Sequence, residues 1–207
     1  MPGHGRASDV PFTLHAAAAR VAELIEREAQ GGRAIVVGLS LGGYLAMTVA
    51  ASWPERLTGL VISGATAEPV GPRAIFYRAL AGILTGLPEP ILDALNRRYF
   101  TWRYPPAISG PILADGFFFE GGAAAVRSLV GLRFKPRLAA FPGPSLILNA
   151  EFDMFFRPSE REFVAVAANP RRALIRGATH LANLDRPDAF TAAIRRFASE
   201  IAERPGP

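Results

Sequence analysis

The stretch Gly38-Leu39-Ser40-Leu41-Gly42-Gly43 (GLSLGG) decides how the rest of this chain is interpreted. It follows an apolar, β-branched run, AIVVG at 34–38, and precedes a helix-like run at 41–52. A serine at the centre of G-x-S-x-G, between a strand and a helix, is the pattern of a nucleophile elbow. Glycines two residues either side let strand and helix pack closely, so that the hydroxyl projects above the sheet. The alternative is a glycine-rich turn in which Ser40 only caps a helix.

Apolar runs and helical stripes alternate along most of the chain, which predicts an α/β fold with a mostly parallel sheet flanked by helices. Residues 66–140 interrupt the alternation, since they are rich in Pro and Gly and carry amphipathic patches. The predicted division is therefore a core of 1–65 and 141–207 with a helical insertion at 66–140. The predicted strands are 34–38, 57–63, 144–150 and 171–177, and the predicted helices are 14–29, 41–52 and a last one from Pro187.

Composition excludes several classes of protein. The chain has 207 residues and no cysteine, which rules out disulfides, thiolate metal sites and a cysteine nucleophile. The net charge of +5 comes from scattered arginine pairs with no clustered stripe, so we predict no nucleic-acid partner. No signal peptide and no apolar run of about 18 residues is evident, so we expect a cytoplasmic protein with no membrane partner.

A serine hydroxyl is a poor nucleophile without a base, and the chain offers three histidines. His180 follows the last predicted strand, where sites form in open α/β sheets, whereas His15 is predicted on a partly exposed helix face. The acid that would orient the base is sought after the preceding strand, in NAEFDMF, which offers Glu151 and Asp153. Asp153 sits deeper in the loop and is preferred, and Glu151 is predicted to be solvated or a local hydrogen-bond partner. The order Ser, Asp, His is that of α/β-hydrolases.

Five stretches together resemble the α/β-hydrolase superfamily, in particular its esterase, lipase and C–C hydrolase branch: GHGRAS, GLSLGGYLA, WPERLTGLVISGA, NAEFD and GATHLANLDRPDAF. The resemblance implies a partial α/β-hydrolase fold with a helical cap insertion. It also implies that Ser40 is the nucleophile, Asp153 the acid, His180 the base and the Leu41 amide the oxyanion donor. No cofactor and no metal are implied.

The family resemblance places Met1 unusually late. In that family PGHGxS follows the fourth strand of an eight-stranded sheet, and here Met1 stands inside the pattern. The strand at 34–38 is then expected to be an edge, which is an aggregation template unless covered. Three alternatives stay open: a fragment or misplaced start, pairing of this edge in a homodimer or with another chain, and a natural degenerate relative. Because losing one oxyanion donor costs about 10²–10³ in turnover, we expect the chain alone to be weak or inactive.

The resemblance also makes residues 66–140 a lid over the serine. Their aromatic residues predict either an apolar acyl pocket or simply the core of the cap, and we expect a small-molecule ester substrate with an apolar acyl group. The leading hypothesis is a serine hydrolase of carboxylic esters or thioesters that works through an acyl-enzyme. The alternatives are acyl transfer or perhydrolysis with the same three residues, and a non-catalytic binding remnant of a hydrolase. The aromatic residues are Phe76, Tyr77, Tyr99, Phe100, Trp102, Phe117, Phe118 and Phe119.

Overall fold

The computed structural model describes residues 1–203, which form two compact units. The helical unit consists of Met1–Ala17 and Pro69–Gly131. The sheet unit consists of Ala18–Glu68 and Leu132–Pro207, of which the structure describes residues up to 203.

The sheet unit contains a four-stranded sheet in which all neighbouring strands run parallel. Both the number of strands and their direction agree with the sequence prediction. The strands lie side by side in chain order, β1-β2-β3-β4, so that their carboxyl ends share one edge of the sheet. Their bounds are β1 Ala34–Leu39, β2 Leu57–Ser63, β3 Pro144–Ala150 and β4 Asn169–Ile175.

The helices alternate with the strands in the sheet unit and fill the helical unit. Within residues 1–203, every helix is too short or too polar to traverse a lipid bilayer. The α-helices are α1 Leu14–Glu28, α2 Leu41–Ser52, α3 Pro72–Gly86, α4 Glu89–Arg103, α5 Pro106–Asp115, α6 Phe119–Leu129, α7 Lys135–Ala139, α8 Glu160–Val166, α9 Ala182–Asp185 and α10 Pro187–Ala202. Short 3₁₀ turns occupy Gly5–Ala7, Gln30–Gly32, Pro54–Arg56 and Arg157–Ser159.

Both faces of the central strands are covered, as the continuous apolar runs predict. Side chains alternate along a strand, so Val61 and Leu146 point to one face and Leu60 and Ile147 to the other. The first face packs against the apolar stripe of α10, including Phe197. Helix α2 packs against β1 and β2. Helix α10 therefore forms where its sequence stripe predicts.

Strand β1 departs from the expectation that it is covered on both faces. It pairs only with β2 among the described strands and lies at one end of the sheet. Val37 is 43% exposed, whereas the β2 residues from Gly59 onward are buried. The apolar run alone cannot distinguish an edge strand from a central strand, because both kinds of strand are rich in β-branched residues. The predicted edge position of β1 is confirmed for the described residues.

The boundaries of the two units differ from the predicted division at two places. Residues 1–17 belong to the helical unit, in which Gly3 lies against Gly121 of α6. The two residues are so close that a Cβ added to Gly121 would lie 1.8 Å from the Gly3 carbonyl oxygen. Residues 132–140, expected in the insertion, belong to the sheet unit. There Phe134 packs on the ring of Tyr44, with centroids 4.5 Å apart, and Leu138 is fully buried.

Hydrogen bonds join the chain on either side of the segment 69–131, and we call this junction, formed by Glu68, Pro69, Gly131, Phe134 and Lys135, the neck. The buried Glu68 carboxylate accepts hydrogen bonds from the amides of Phe134 and Lys135, each at 3.0 Å through Oε1. Beyond it, the amide of Gly131 donates to the carbonyl of Pro69 at 2.9 Å. The first set of hydrogen bonds lies within the sheet unit and the second within the helical unit.

Aromatic rings within the helical unit include both stacked and exposed ones. Phe100, Phe117 and Phe119 form a continuous stack with centroids 5.7 and 6.0 Å apart. Trp102, in contrast, is 80% exposed. A cavity of about 230 Å³ in this unit is lined in part by Leu84, Leu92, Phe117 and Phe118. The packing role predicted for these rings has a counterpart within this unit, whereas the acyl pocket stays a prediction.

Replacing Gly121 with alanine is expected to destabilise the helical unit. The new Cβ would meet backbone atoms of Gly3 at 1.8 and 2.7 Å, and backbone cannot step aside as a side-chain end can. We expect the free energy of unfolding in urea to fall by about 3 kcal/mol, as in overpacked cores. Hydrogen exchange in residues 1–12 should rise as that segment is displaced.

The matched control is Gly122→Ala. Its Cβ would meet only Leu84 Cδ1 at 3.8 Å, an ordinary contact, and alanine favours the helix. Equal stability of the two variants would contradict the packing described for residues 1–12.

Candidate active site

Ser40 stands between β1 and α2 in a strained backbone conformation. Its φ of 53° and ψ of −119° make it the one non-glycine residue with positive φ among residues 1–203. Such angles cost of order 1–3 kcal/mol and persist only where surrounding contacts impose them. Here the Ser40 amide donates to the carbonyl of Ser63 at the end of β2, and its carbonyl accepts from Gly43, at 2.8 and 2.9 Å. The strand-to-helix turn predicted from the sequence is present.

The glycines of the turn do not all have the role that the motif suggests. A Cβ on Gly38 would lie 2.1 Å from the Gly42 carbonyl oxygen, so Gly38 is sterically required. At Gly43 it would lie 2.5 Å from Ala65 Cβ. Gly42 has no atom within 4 Å of that position. The expectation that both flanking glycines relieve a clash is right for Gly38 and wrong for Gly42, because the helix approaches β2 one residue later, at Gly43.

Ser40, His180 and Asp153 form a continuous hydrogen-bonded chain in the sheet unit. His180 Nε2 is 2.9 Å from Ser40 Oγ, and His180 Nδ1 is 2.8 Å from Asp153 Oδ2. An ionised carboxylate can only accept, so Nδ1–H donates to Asp153 and Nε2 is left to accept the Ser40 hydroxyl proton. Ser40 follows β1, Asp153 follows β3 and His180 follows β4. The structure thus brings together the three side chains selected from the sequence.

The environment of Asp153 favours its ionised form. The residue is buried, which by itself raises the pKa of its carboxyl. The hydrogen bond from His180 and those from the amides of Phe156 and Phe155, at 3.0 and 3.3 Å, outweigh burial and hold that pKa below its usual range. Asp153 is therefore a carboxylate over the ordinary pH range, suited to fix the tautomer of His180.

Two residues that the sequence analysis did not select as site residues, Gly64 and Phe156, confine the His180 ring. The Phe156 ring stacks on the imidazole, with centroids 4.9 Å apart and an interplanar angle of 19°. On the turn after β2, Gly64 has φ +54°, and a Cβ there would lie 2.9 Å from His180 Cε1. Their positions in the loops that follow β2 and β3 are the sequence signal that could have found them.

The other candidate residues occupy different surroundings. Glu151 accepts a hydrogen bond from the Gly177 amide at 2.8 Å, which is the local role expected for it. His15 is exposed on α1, as predicted. His4 contacts the Pro2 carbonyl through Nδ1 at 3.0 Å within the helical unit.

Leu41, predicted as the oxyanion donor, directly follows Ser40 in the chain. It is the first residue of α2. The first amides of a helix lack intrahelical acceptors and carry the positive end of the helix dipole. Leu41 is therefore placed to face negative charge that develops beside Ser40 Oγ; its part in catalysis stays a prediction.

The strand order, the strained serine turn and the matching sequence pattern agree with one protein family. The model of the Alpha/beta hydrolase family matches residues 1–193. The chain belongs to the alpha/beta hydrolase family. Among solved structures, this alpha/beta hydrolase is similar to a thermophilic esterase from Thermogutta terrifontis, with 26% identity, a TM-score of 0.73 and coverage of 92% of this chain and 73% of the esterase.

Two curated proteins show the sequence likeness. An AB hydrolase superfamily protein of Gibberella zeae is 43% identical over 65 residues, 31% of this chain. This chain spans only 23% of that protein's length. The 3-oxoadipate enol-lactonase 2 of Acinetobacter baylyi is 25% identical over 93% of this chain and 74% of its own length.

Gly38→Ala is expected to abolish stable folding of the sheet unit. The clash at 2.1 Å is with backbone of the turn itself, so the free energy of unfolding should fall by about 4 kcal/mol or more. Gly42→Ala, which changes the second glycine of the motif, meets open space and should stay within about 1 kcal/mol of the parent. Urea denaturation followed by circular dichroism measures both, and a larger loss at Gly42 would refute this account of the turn.

Asp153→Asn is expected to change the pH dependence of stability. The folded pKa of Asp153 lies below its unfolded value of about 3.9, so its contribution is present above that pH and is lost as the pH falls through the folded pKa. The variant should therefore be less stable than the parent at pH 7, and the difference should shrink below about pH 4. Urea unfolding at pH values from 7 to 3 gives the comparison; a constant difference would show that Asp153 is not preferentially ionised.

Proposed function

We propose that this protein is a serine hydrolase of carboxylic esters or thioesters that acts through an acyl-enzyme. The observation that carries the proposal is the chain of hydrogen bonds from Ser40 Oγ through His180 to the buried Asp153, at 2.9 and 2.8 Å. A remnant without catalysis has no physical need to keep a strained serine, an imidazole and a buried carboxylate in line. The similarity to an esterase and to an enol-lactonase supports an ester bond as the target.

The first half of the proposed reaction forms the acyl-enzyme. Ser40 Oγ attacks the carbonyl carbon of the substrate while His180 Nε2 takes the hydroxyl proton. The carbonyl oxygen becomes an oxyanion beside the Leu41 amide, and Asp153 stays ionised against the imidazolium. The bond to the leaving alcohol or thiol then breaks, and His180 returns the proton to it.

The second half uses water in place of the alcohol. His180 accepts a proton from the water, whose oxygen attacks the acyl carbon and forms a second tetrahedral intermediate. Release of Ser40 Oγ, which recovers the proton from His180, gives the free carboxylic acid. If an acyl acceptor other than water reached the acyl-enzyme, the same residues would carry out acyl transfer, and peroxide would give perhydrolysis.

The proposed acyl group is apolar and uncharged. Within the sheet unit, the loop that carries Asp153 exposes Phe152 and Met154, at 58% and 83%. Large apolar side chains displayed beside a reactive site favour contact with an apolar ligand. We therefore expect p-nitrophenyl esters of uncharged alkanoic acids to react faster than esters of dicarboxylic half-acids.

The test of the nucleophile is labelling with a fluorophosphonate probe, which reacts only with an activated serine. We expect one label per chain, at Ser40 by peptide mass spectrometry. Ser40→Ala should abolish labelling, and His180→Ala should slow it by about 10³–10⁴-fold because the base is lost. His15→Ala, which removes an exposed histidine, is the matched control and should label at the parent rate.

Turnover is measured separately, as release of p-nitrophenol and acid in equal amounts from p-nitrophenyl acetate. Labelling with weak or no turnover would agree with the weak activity expected from the sequence and would still support an activated Ser40. No labelling of folded protein would contradict the proposal and favour a non-catalytic role.

A further inference from the structure

We propose that Asn149 is a positioning residue for the reaction, because it anchors a buried polar network that fixes both walls of the His180 ring. This inference rests on the proposed function for its kinetic meaning and deepens the assignment of the site. Asn149 reaches none of the reacting atoms. It acts through Gly64 on one side and through Thr66 and Phe156 on the other.

Asn149 is fully buried near the end of β3, at 0% exposure, and its amide is used in three directions. Oδ1 accepts from the Gly64 amide at 3.2 Å, and Nδ2 donates to Thr66 Oγ1 at 3.2 Å and to Glu160 Oε2 at 2.8 Å. Only this orientation of the amide satisfies all three groups, since a backbone N–H must donate and a carboxylate must accept. A burial this complete makes an unpaired amide costly, so its orientation is firmly held.

The first wall of the histidine is the backbone of Gly64. A Cβ at this position would lie 2.9 Å from His180 Cε1, 3.0 Å from Nδ1 and 3.4 Å from Asp153 Oδ2. A side chain at residue 64 would therefore collide with His180 and crowd Asp153, so only glycine leaves the pair its present space. The Gly64 amide donates to Asn149 Oδ1, so the side chain of Asn149 sets how closely this wall approaches the imidazole.

The second wall is the ring of Phe156. Thr66, which is fully buried, donates its hydroxyl to the Phe156 carbonyl at 2.8 Å while accepting from Asn149 Nδ2. The Phe156 ring stacks on the imidazole, and the Phe156 amide donates to Asp153 Oδ1 at 3.0 Å. One hydroxyl thus connects Asn149 to a residue that contacts both His180 and Asp153.

Glu160 is the second acceptor for the side-chain amide group of Asn149. It is buried at the start of α8; its Oε2 accepts from Asn149, and its Oε1 lies 3.4 Å from Arg172 Nε. Because this carboxylate demands a donor, it prevents the Asn149 amide from rotating. The pair of Asn149 and Glu160 can therefore be exchanged in polarity, which provides a rescue experiment.

The central variants are Asn149→Asp and the double variant Asn149→Asp with Glu160→Gln. In the single variant two carboxylates face each other and the donor to Thr66 is lost. We expect the rate of fluorophosphonate labelling and kcat to fall about 10- to 100-fold with KM little changed, as for misplaced catalytic groups. The double variant restores a donor facing an acceptor between residues 149 and 160 but leaves Thr66 without its donor, so it should recover the part of the rate that depends on the 149–160 contact.

A second pair of variants keeps the proposal testable if Asn149→Asp does not fold. Thr66→Val removes the hydroxyl with little change of shape and should reduce the rate, whereas Thr66→Ser keeps the hydroxyl and should not. Two controls lie on the same strand as Asn149. Ser145→Ala removes a fully buried hydroxyl that has no hydrogen-bond partner among the described residues, and Ile147→Val trims a buried apolar side chain. Both should label at the parent rate per folded molecule.

The second readout does not depend on activity. In protein labelled with ¹⁵N-histidine, the imidazole shifts of His180 report its tautomer, and the three histidines of the chain can be assigned by single substitutions. The parent should hold the Nδ1–H form, and Asn149→Asp should give a mixture of forms that the double variant shifts back toward the parent. Parent-like shifts and labelling rates in Asn149→Asp and Thr66→Val would overturn the positioning role while leaving the proposed hydrolase intact. If the parent itself does not label, the proposed function fails, and the tautomer alone decides the role of Asn149.

Discussion

The parallel register of the sheet is the constraint on which the site depends. Because all four strands run in one direction and pair in chain order, the residues that follow them meet at one edge. Leu39 pairs with Ser63, Ser63 with Leu148, and Ala150 with Ile175, so the strand ends are aligned within one or two residues. The stiff backbone ladders thus fix where each of these loops begins, and contacts within the loops complete the spacing of the side chains.

The strained turn at Ser40 shows how that stiffness is used. A residue at φ 53° would relax toward ordinary angles if the flanking elements could separate. They cannot, because Gly38 lies against the turn, Gly43 lies against Ala65, and the Ser40 amide is bonded to the end of β2. The same absence of side chains recurs at Gly64, where the backbone of the neighbouring turn reaches the imidazole. Close backbone approach at three glycines therefore frames the polar groups of the site.

Much of this arrangement could be predicted from the sequence, and the missing parts have a physical reason. Strand count, strand direction and the grouping of Ser40, Asp153 and His180 follow from periodicity and chain order, which are written locally. The roles of Asn149 and Thr66 could not be predicted in this way, because a polar residue near the end of an apolar strand has no distinctive spacing. The exposure of Val37 and the packing of Gly3 on Gly121 depend on which segments meet in space, information that no local pattern carries.

The neck at Glu68 has a consequence for how this fold can vary. The Glu68 carboxylate accepts from the amides of residues 134 and 135, and the Gly131 amide donates to the Pro69 carbonyl. The segment 69–131 is therefore a loop whose two ends are hydrogen-bonded together. The entropy of closing such a loop grows only with the logarithm of its length. Insertions, deletions or wholesale exchange of that segment between homologues would therefore leave the strand ladder undisturbed. The hydrogen-bonded spacing of Ser40, Asp153 and His180, all in the sheet unit, would then be the same whatever the length of that segment.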